Sequence, residues 1–310
     1  MEMLQSFFLS ITGMSVESFF QHLSNGISLG SLYALIAIGY TMVYGILRLI
    51  NFAHGDIFMI SIYSVFYGVA VFAIPWPVAV VLSIVITVFL GISIEKTAYR
   101  PLRNSSKISI LISAIGVSFF LQNLATVVFG GRPKAYPVPE FFSRIYNFSG
   151  ISITSVTFFI PVMTIFFLLV LLNFINHTKT GMAMRAVSRD YEASRLMAID
   201  VDFIIMLTFG IGSALAAIGG IMWGLKYPQI SPFMGVIPGL KCFIAAVIGG
   251  IGNIKGAVLG GFMLGIGEIL IVAFLPSMTG YRDAFAFVLL ILILLVKPQG
   301  LLGENVSEKV

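Results

Sequence analysis

Glu268 stands well inside the apolar segment 256–274. A charge at that depth is expensive unless it faces a bundle interior or water. It therefore either lines a polar pathway or locks helices together. A second polar group falls in INFAHGD (Ile50 to Asp56), which interrupts two apolar segments. There Asp56 suits a helix N-terminus, where the dipole favours a carboxylate. His54 reads as a hydrogen-bonded structural histidine. Asn51, His54, Asp56 and Glu268 are together the candidates for lining a translocation path. Lys241 falls near a helix end, where its amine can snorkel to water. Gln122 and Asn123, inside the segment 107–129, suit hydrogen bonds between helices.

None of these residues composes a catalytic set. The chain has no HExxH and no GxSxG. It has no GxxxxGK[ST] phosphate loop either; the nearest stretch, GGIGNIKG (Gly249 to Gly256), lacks the glycine before Lys255. Three scattered histidines and one cysteine argue against a metal enzyme. Cys242 cannot form an internal disulfide and is expected to be an inert packed thiol. No cofactor site is expected in this chain; any ATP and Mg would be bound by partner subunits.

The elements that must hold these groups are helices in a membrane. Of 310 residues, 58% are hydrophobic and only 10% charged, against about 25% charged in a soluble domain. The mean hydropathy is +1.03. The apolar runs are continuous, unlike the alternating strands of a barrel. Apolar segments fall near 27–47, 56–73, 77–99, 107–129, 156–175, 202–224, 238–250, 256–274 and 281–296. The fold class expected is an all-α polytopic membrane protein with eight to nine transmembrane helices. Segment 238–250 is short and could be a half-helix. Residues 1–26, with Phe7, Phe8, Phe19 and Phe20, read as an interfacial segment rather than a span or a signal peptide.

Charge then sets orientation. With nine crossings, 12 of the 18 Lys and Arg residues fall on one side. That side carries Lys96, Arg100, Arg103 and Lys107 in one loop and Lys179, Arg185, Arg189 and Arg195 in another. Basic loops stay cytoplasmic, so the N-terminus is expected outside and the C-terminus inside. The net charge of +5 reflects this bias and not a nucleic-acid partner.

An internal repeat is visible at an offset of 180 residues. GSLYALIAIGYTM (Gly30 to Met42) and GIGSALAAIGGIM (Gly210 to Met222) share seven of 13 positions. Combined with the charge-derived orientation, spans 1–4 match spans 6–9 upside down, the inverted-repeat plan of many transporters. The single permease domain (1–310) then divides into a first repeat (27–129), a connecting span (156–175), a cytoplasmic docking loop (176–201) and a second repeat (202–296). Breaks in corresponding segments point to the pathway; here they are INFAHGD and QISPFMGVIPG (Gln229 to Gly239).

The loop GMAMRAVSRDYEASRLMAID (181–200) lacks proline and favours helix. Met184, Val187 and Tyr191 share one face, and Arg185, Arg189 and Glu192 another. A short amphipathic helix on the cytoplasmic surface is expected, either lying on lipid or fitting a groove of a partner.

The segments GISLGSLYALIAIGYTMVYGILRLINFAHGDIFMI (26–60), EKTAYRPLRNSSKISILISAIGVSFFLQN (95–123), AAVIGGIGNIKGAVLGG (245–261) and the 181–200 loop resemble branched-chain amino-acid ABC transporter permeases of the LivH type. The resemblance runs from about residue 24 to 303. It implies an inner-membrane importer of leucine, isoleucine and valine, working by ATP-driven alternating access. Its partners would be a second, homologous permease subunit, two ABC ATPase subunits, an external solute-binding protein and membrane lipid. It further implies that Arg185, Arg189, Asp190, Glu192, Ala193 and Leu196 dock an ATPase. Family members often carry Gly where this chain has Ala198. Relatives move other amino acids, amides or urea. An ion-coupled secondary transporter is the rival that the repeat alone would allow.

Overall fold

The computed structural model describes residues 14–303 apart from Asn104 and Ser149. The chain is helical throughout its apolar parts. α1 (Val16–Leu47), α2 (His54–Ala70), α3 (Trp76–Ile94) and α4 (Lys107–Phe129) make up the first half. A π turn at Glu95–Tyr99 and a 3-10 turn at Arg100–Leu102 prolong α3. A loop follows with β1 (Lys134–Ala135), α5 (Glu140–Ser143), β2 (Ile145–Phe148) and β3 (Ile151–Thr154). Next come α6 (Ser155–His177), α7 (Lys179–Arg189) and α8 (Tyr191–Leu196). The second half holds α9 (Val201–Lys226), β4 (Gln229–Ile230), α10 (Val236–Gly249), α11 (Ile254–Phe274) and α12 (Arg282–Val296), the last entered through a 3-10 turn at Pro276–Tyr281.

Polar caps written into the sequence start six of these helices. Side chains of Ser15, Ser106, Thr178, Asp190, Asp200 and Asn253 each accept a backbone N–H three residues on. Such caps satisfy donors that a helix start leaves orphaned. Among the described residues, seven helical stretches are long and apolar enough to cross a membrane: 16–47, 76–102, 107–129, 155–177, 201–226, 254–274 and 276–296. α2 has 17 residues and α10 has 14, so at about 1.5 Å per residue α10 falls short of a bilayer core about 30 Å thick.

Two boundaries differ from expectation. The first span does not begin at residue 27: the Ser15 cap starts a single 32-residue helix, so Phe19 and Phe20 belong to α1 and not to a separate interfacial segment. Residues 1–13 of that segment, with Phe7 and Phe8, lie outside the described residues. The loop after α6 is two short helices, not one, because Asp190 turns extended (φ −157°, ψ 119°) and caps a new start.

α1 is the hub. Its most apolar stretch is 94% buried, against 17% for 155–177 and 6% for 276–296. It packs on α9, α10, α11 and α6. Against α11 the pairings run Gly26–Ile266, Gly30–Phe262 and Ala34–Gly261, an antiparallel contact of backbone on backbone. Against α9 they run Ser28–Lys226, Ile36–Gly219 and Val43–Gly212, again antiparallel. Lipid gives helices no hydrophobic reason to associate, so such close packing supplies the attraction. α3 and α9 pack as α11 and α1 do, and α2 lies on α9 as α10 lies on α1.

A Cβ on Gly261 would lie 2.6 Å from the Ala34 Cα and 2.9 Å from its Cβ, whereas one on Gly116 meets nothing within 4 Å. Gly261→Ala is expected to cost about 1–3 kcal/mol of overpacking, while Gly116→Ala leaves stability equal or higher. Thermal melts of the two purified variants in detergent check this; equal melting temperatures would contradict the hub.

Candidate translocation and docking site

The two breaks in the apolar pattern meet. A Cβ on Gly55 would fall on the Gly235 carbonyl, one on Gly235 would fall on the Gly55 carbonyl, and one on Gly239 would sit 2.9 Å from the Gly55 Cα. Gly55 and Gly235 stand 180 residues apart, the offset of the repeat. The first turns of the short helices α2 and α10 thus touch in the middle of the bundle.

The candidate path residues surround this contact unequally. Asn51 is buried, and its Oδ1 accepts the Tyr99 hydroxyl at 3.0 Å. His54 is buried against the Tyr40 ring at 4.3 Å between centroids. Gly39 makes room for it, since a Cβ there would lie 2.7 Å from Nε2. Asp56 stands in the first turn of α2, at the helix N-terminus as expected, while Ala53 holds the cap position without a side-chain bond. Its carboxylate reaches sideways to α4, accepting from Ser118 Oγ at 2.5 Å and Gln122 Nε2 at 3.0 Å. The peripheral helix α4 is thereby pinned to α2. Gln122 bonds between helices as expected, whereas Asn123 turns back to its own helix at the Phe119 carbonyl, 2.7 Å away.

Glu268 belongs to a different cluster. It is fully buried. Its Oε1 accepts from Lys241 Nζ at 2.5 Å and from Arg282 Nε at 2.6 Å, and its Oε2 accepts the Tyr33 hydroxyl at 2.9 Å. Lys241 also pairs with Asp283 at 2.6 Å. Lys241 does not snorkel; it is 3% exposed and joins α10 to α11 and α12. Two acids and two bases cancel, so charge enters the bundle as a neutral set. The cost of desolvating each ion is offset only while its partners stay. Arg282 and Asp283 had a legible signal, a charged pair opening an apolar segment. Tyr33, Tyr99 and Ser118 had none, because a hydroxyl in an apolar run looks like any other.

The candidate docking loop (176–201) lies at the far end of α1. α7 buries Met184 and Val187 and exposes Arg185 and Arg189; α8 buries Ser194. Asp190, Glu192, Ala193 and Leu196 are exposed, Leu196 by 88% and the neighbouring Met197 by 77%. Arg185 donates to the Ile175 carbonyl of α6. Asp202, just beyond the loop, binds Arg100 at 2.6 Å and Arg103 at 2.5 Å; Arg103 also binds the buried Glu95. The basic loop after α3 and the docking loop therefore share one end of the bundle. Ala198 sits in the left-handed region at φ 60°, where a Cβ costs roughly 1–2 kcal/mol.

At the opposite end β1 pairs with β4, Lys134 with Ile230 and Ala135 with Gln229. This joins the 130–155 loop to the 225–237 loop. Among the described residues no group of three or more His, Cys, Asp or Glu could hold a metal ion.

Residues 22–294 match the family described as branched-chain amino acid transport system / permease component. The high-affinity branched-chain amino acid transport system permease protein LivH of Escherichia coli (strain K12) is 45% identical over 306 residues, 94% of this chain and 98% of that one. BraD, named likewise, of Pseudomonas aeruginosa is 43% identical over 95% of this chain and 99% of its own. Among solved structures, PsaBC from Streptococcus pneumoniae in complex with Fab is 13% identical with a TM-score of 0.50, covering 90% of this chain and 92% of that chain. That likeness concerns the fold alone.

Two outcomes follow from the geometry. Removing both cations, Lys241→Met with Arg282→Met, is expected to destabilise by about 3 kcal/mol, the cost of stranding the buried Glu268 charge, and adding Glu268→Leu should recover part of it. A loss near that of an exposed pair, about 0–1 kcal/mol, in denaturation of the purified variants would mean the cluster is solvated. Ala198→Gly is expected to raise stability by about 1 kcal/mol, read as a higher melting temperature.

Proposed function

The chain belongs to the branched-chain amino acid transport permease family, and from that premise we propose how it carries out import. It is the permease subunit of a branched-chain amino-acid ABC importer, a multi-pass inner-membrane protein whose energy comes from ATP hydrolysed by partner subunits. The observation that carries this is the match over nearly the whole length of both chains, at 45% identity. Leucine, isoleucine and valine are the cargo we assign, and alternating access the mechanism.

We read the bundle as eight to nine crossings, with α2 and α10 as the short members. An inverted repeat of α1–α4 on α9–α12 is supported by three features. α1 and α9 are antiparallel, their partner helices correspond, and Gly55 meets Gly235 at the repeat offset. The basic end of the bundle, with Arg100, Arg103 and the docking loop, is assigned to the cytoplasm, which leaves the N-terminus outside and the C-terminus inside. The β1–β4 end then faces the solute-binding protein. The exposed surface of α7 and α8, with Arg185, Arg189, Asp190, Glu192, Ala193 and Leu196, is the proposed seat of an ATPase. A second, homologous permease completes the pathway. Asn51, His54 and Asp56 stand at the meeting of the two breaks, where relative motion of the halves would be felt first. Glu268 is held by two cations, which disfavours it as the coupling site of an ion-driven transporter.

Leucine uptake into proteoliposomes holding the permease pair, the ATPases and the binding protein tests the reading. Uptake is expected only with ATP in the compartment that bears the ATPases and with the binding protein present. Uptake driven by an ion gradient without ATP would overturn it.

A further inference from the structure

Among the bonds that tie the docking loop and its flank to the bundle, three do not reach equivalent places. Arg185 holds α7 to the Ile175 carbonyl of α6, a helix with a mostly exposed surface. Asp202 holds the start of α9 to Arg100 and Arg103 after α3. Tyr191, the first residue of α8, donates its phenol to the Ile46 carbonyl of α1, the buried hub.

That carbonyl belongs to the last turn of α1, whose acceptors have no partner within the helix. Arg48 turns left-handed at φ 55° and its N–H closes on Tyr44, which leaves Ile46 to an outside donor. Tyr191 supplies it from the docking loop. Only a few residues further on, Asn51 is fixed by the Tyr99 hydroxyl and Asp56 by Ser118 and Gln122. A shift of α8 is therefore applied to the end of α1, next to the break that touches Gly235.

We propose that the Tyr191 phenol is the strut that couples the docking platform to the transport core. It is a positioning residue: it touches neither cargo nor nucleotide and transmits displacement through a backbone carbonyl. The proposal rests on α7 and α8 being the ATPase seat. Without the strut, the platform keeps its fold, through the Asp190 cap and buried Met184, Val187 and Ser194, and α7 still packs on α1 and α9, but α8 loses its bonded hold on the end of α1. Nucleotide turnover then continues while the core lags behind it.

The test uses the assembled importer with the native chain and with Tyr191→Phe, which keeps the ring and removes only the hydroxyl. ATP hydrolysis and leucine uptake are measured on the same proteoliposomes, and ATPase retention on the purified complex. The expected result is full retention, continued hydrolysis and uptake per ATP reduced about tenfold, the weight of one hydrogen bond. An unchanged ratio of uptake to hydrolysis overturns the proposal. Loss of the ATPases from the variant alone also overturns it, by making Tyr191 a docking contact. Failure of the native chain to retain ATPases removes the docking reading itself, and is seen before any variant is compared.

Discussion

Contact of backbone on backbone along α1 is the constraint on which the remaining structure depends. In lipid, apolar side chains gain nothing by touching one another rather than acyl chains, so association requires close dispersion contact and interhelical polar bonds. Gly30, Gly261 and Gly265 let α1 and α11 approach until the backbones themselves touch. With α1 fixed against α11 on one side and α9 on another, the breaks after α1 and before α10 are brought together at Gly55 and Gly235. A single side chain at either glycine would hold the halves apart.

Polar groups act as fasteners on this frame. Peripheral helices have little backbone contact with the hub and are tied by hydrogen bonds and ion pairs. Asp56 fastens α4 through Ser118 and Gln122. Glu268 and Lys241 fasten α12 through Arg282 and Asp283. Replacing a buried ion pair by apolar groups is often neutral for stability, whereas removing all partners of one charge is costly, so the Glu268 cluster depends on its cations.

The proposed docking loop carries no conspicuous chemistry. Nothing in it is reactive. Its exposed Leu196 and Met197 offer apolar surface beside the charged Arg195 and Glu192, while Met184 and Val187 anchor it below. The break at Asp190 splits it into two helices, and that split lets Tyr191 leave the face it would share with Met184 and Val187 and reach α1.

The sequence alone determined the membrane class, most helix positions and the family. These rest on local signals: apolar run length, polar caps and long matched motifs, all of which survive without knowing what touches what. The sideways reach of Asp56 was decided by tertiary structure. So were the ion pairs of Lys241, a residue whose position near a helix end suggests snorkelling to water. The physical reason is the same in each case. A polar side chain in an apolar segment must find a partner, and the sequence states the need but not the address, which depends on which distant helix the glycines allow to come close.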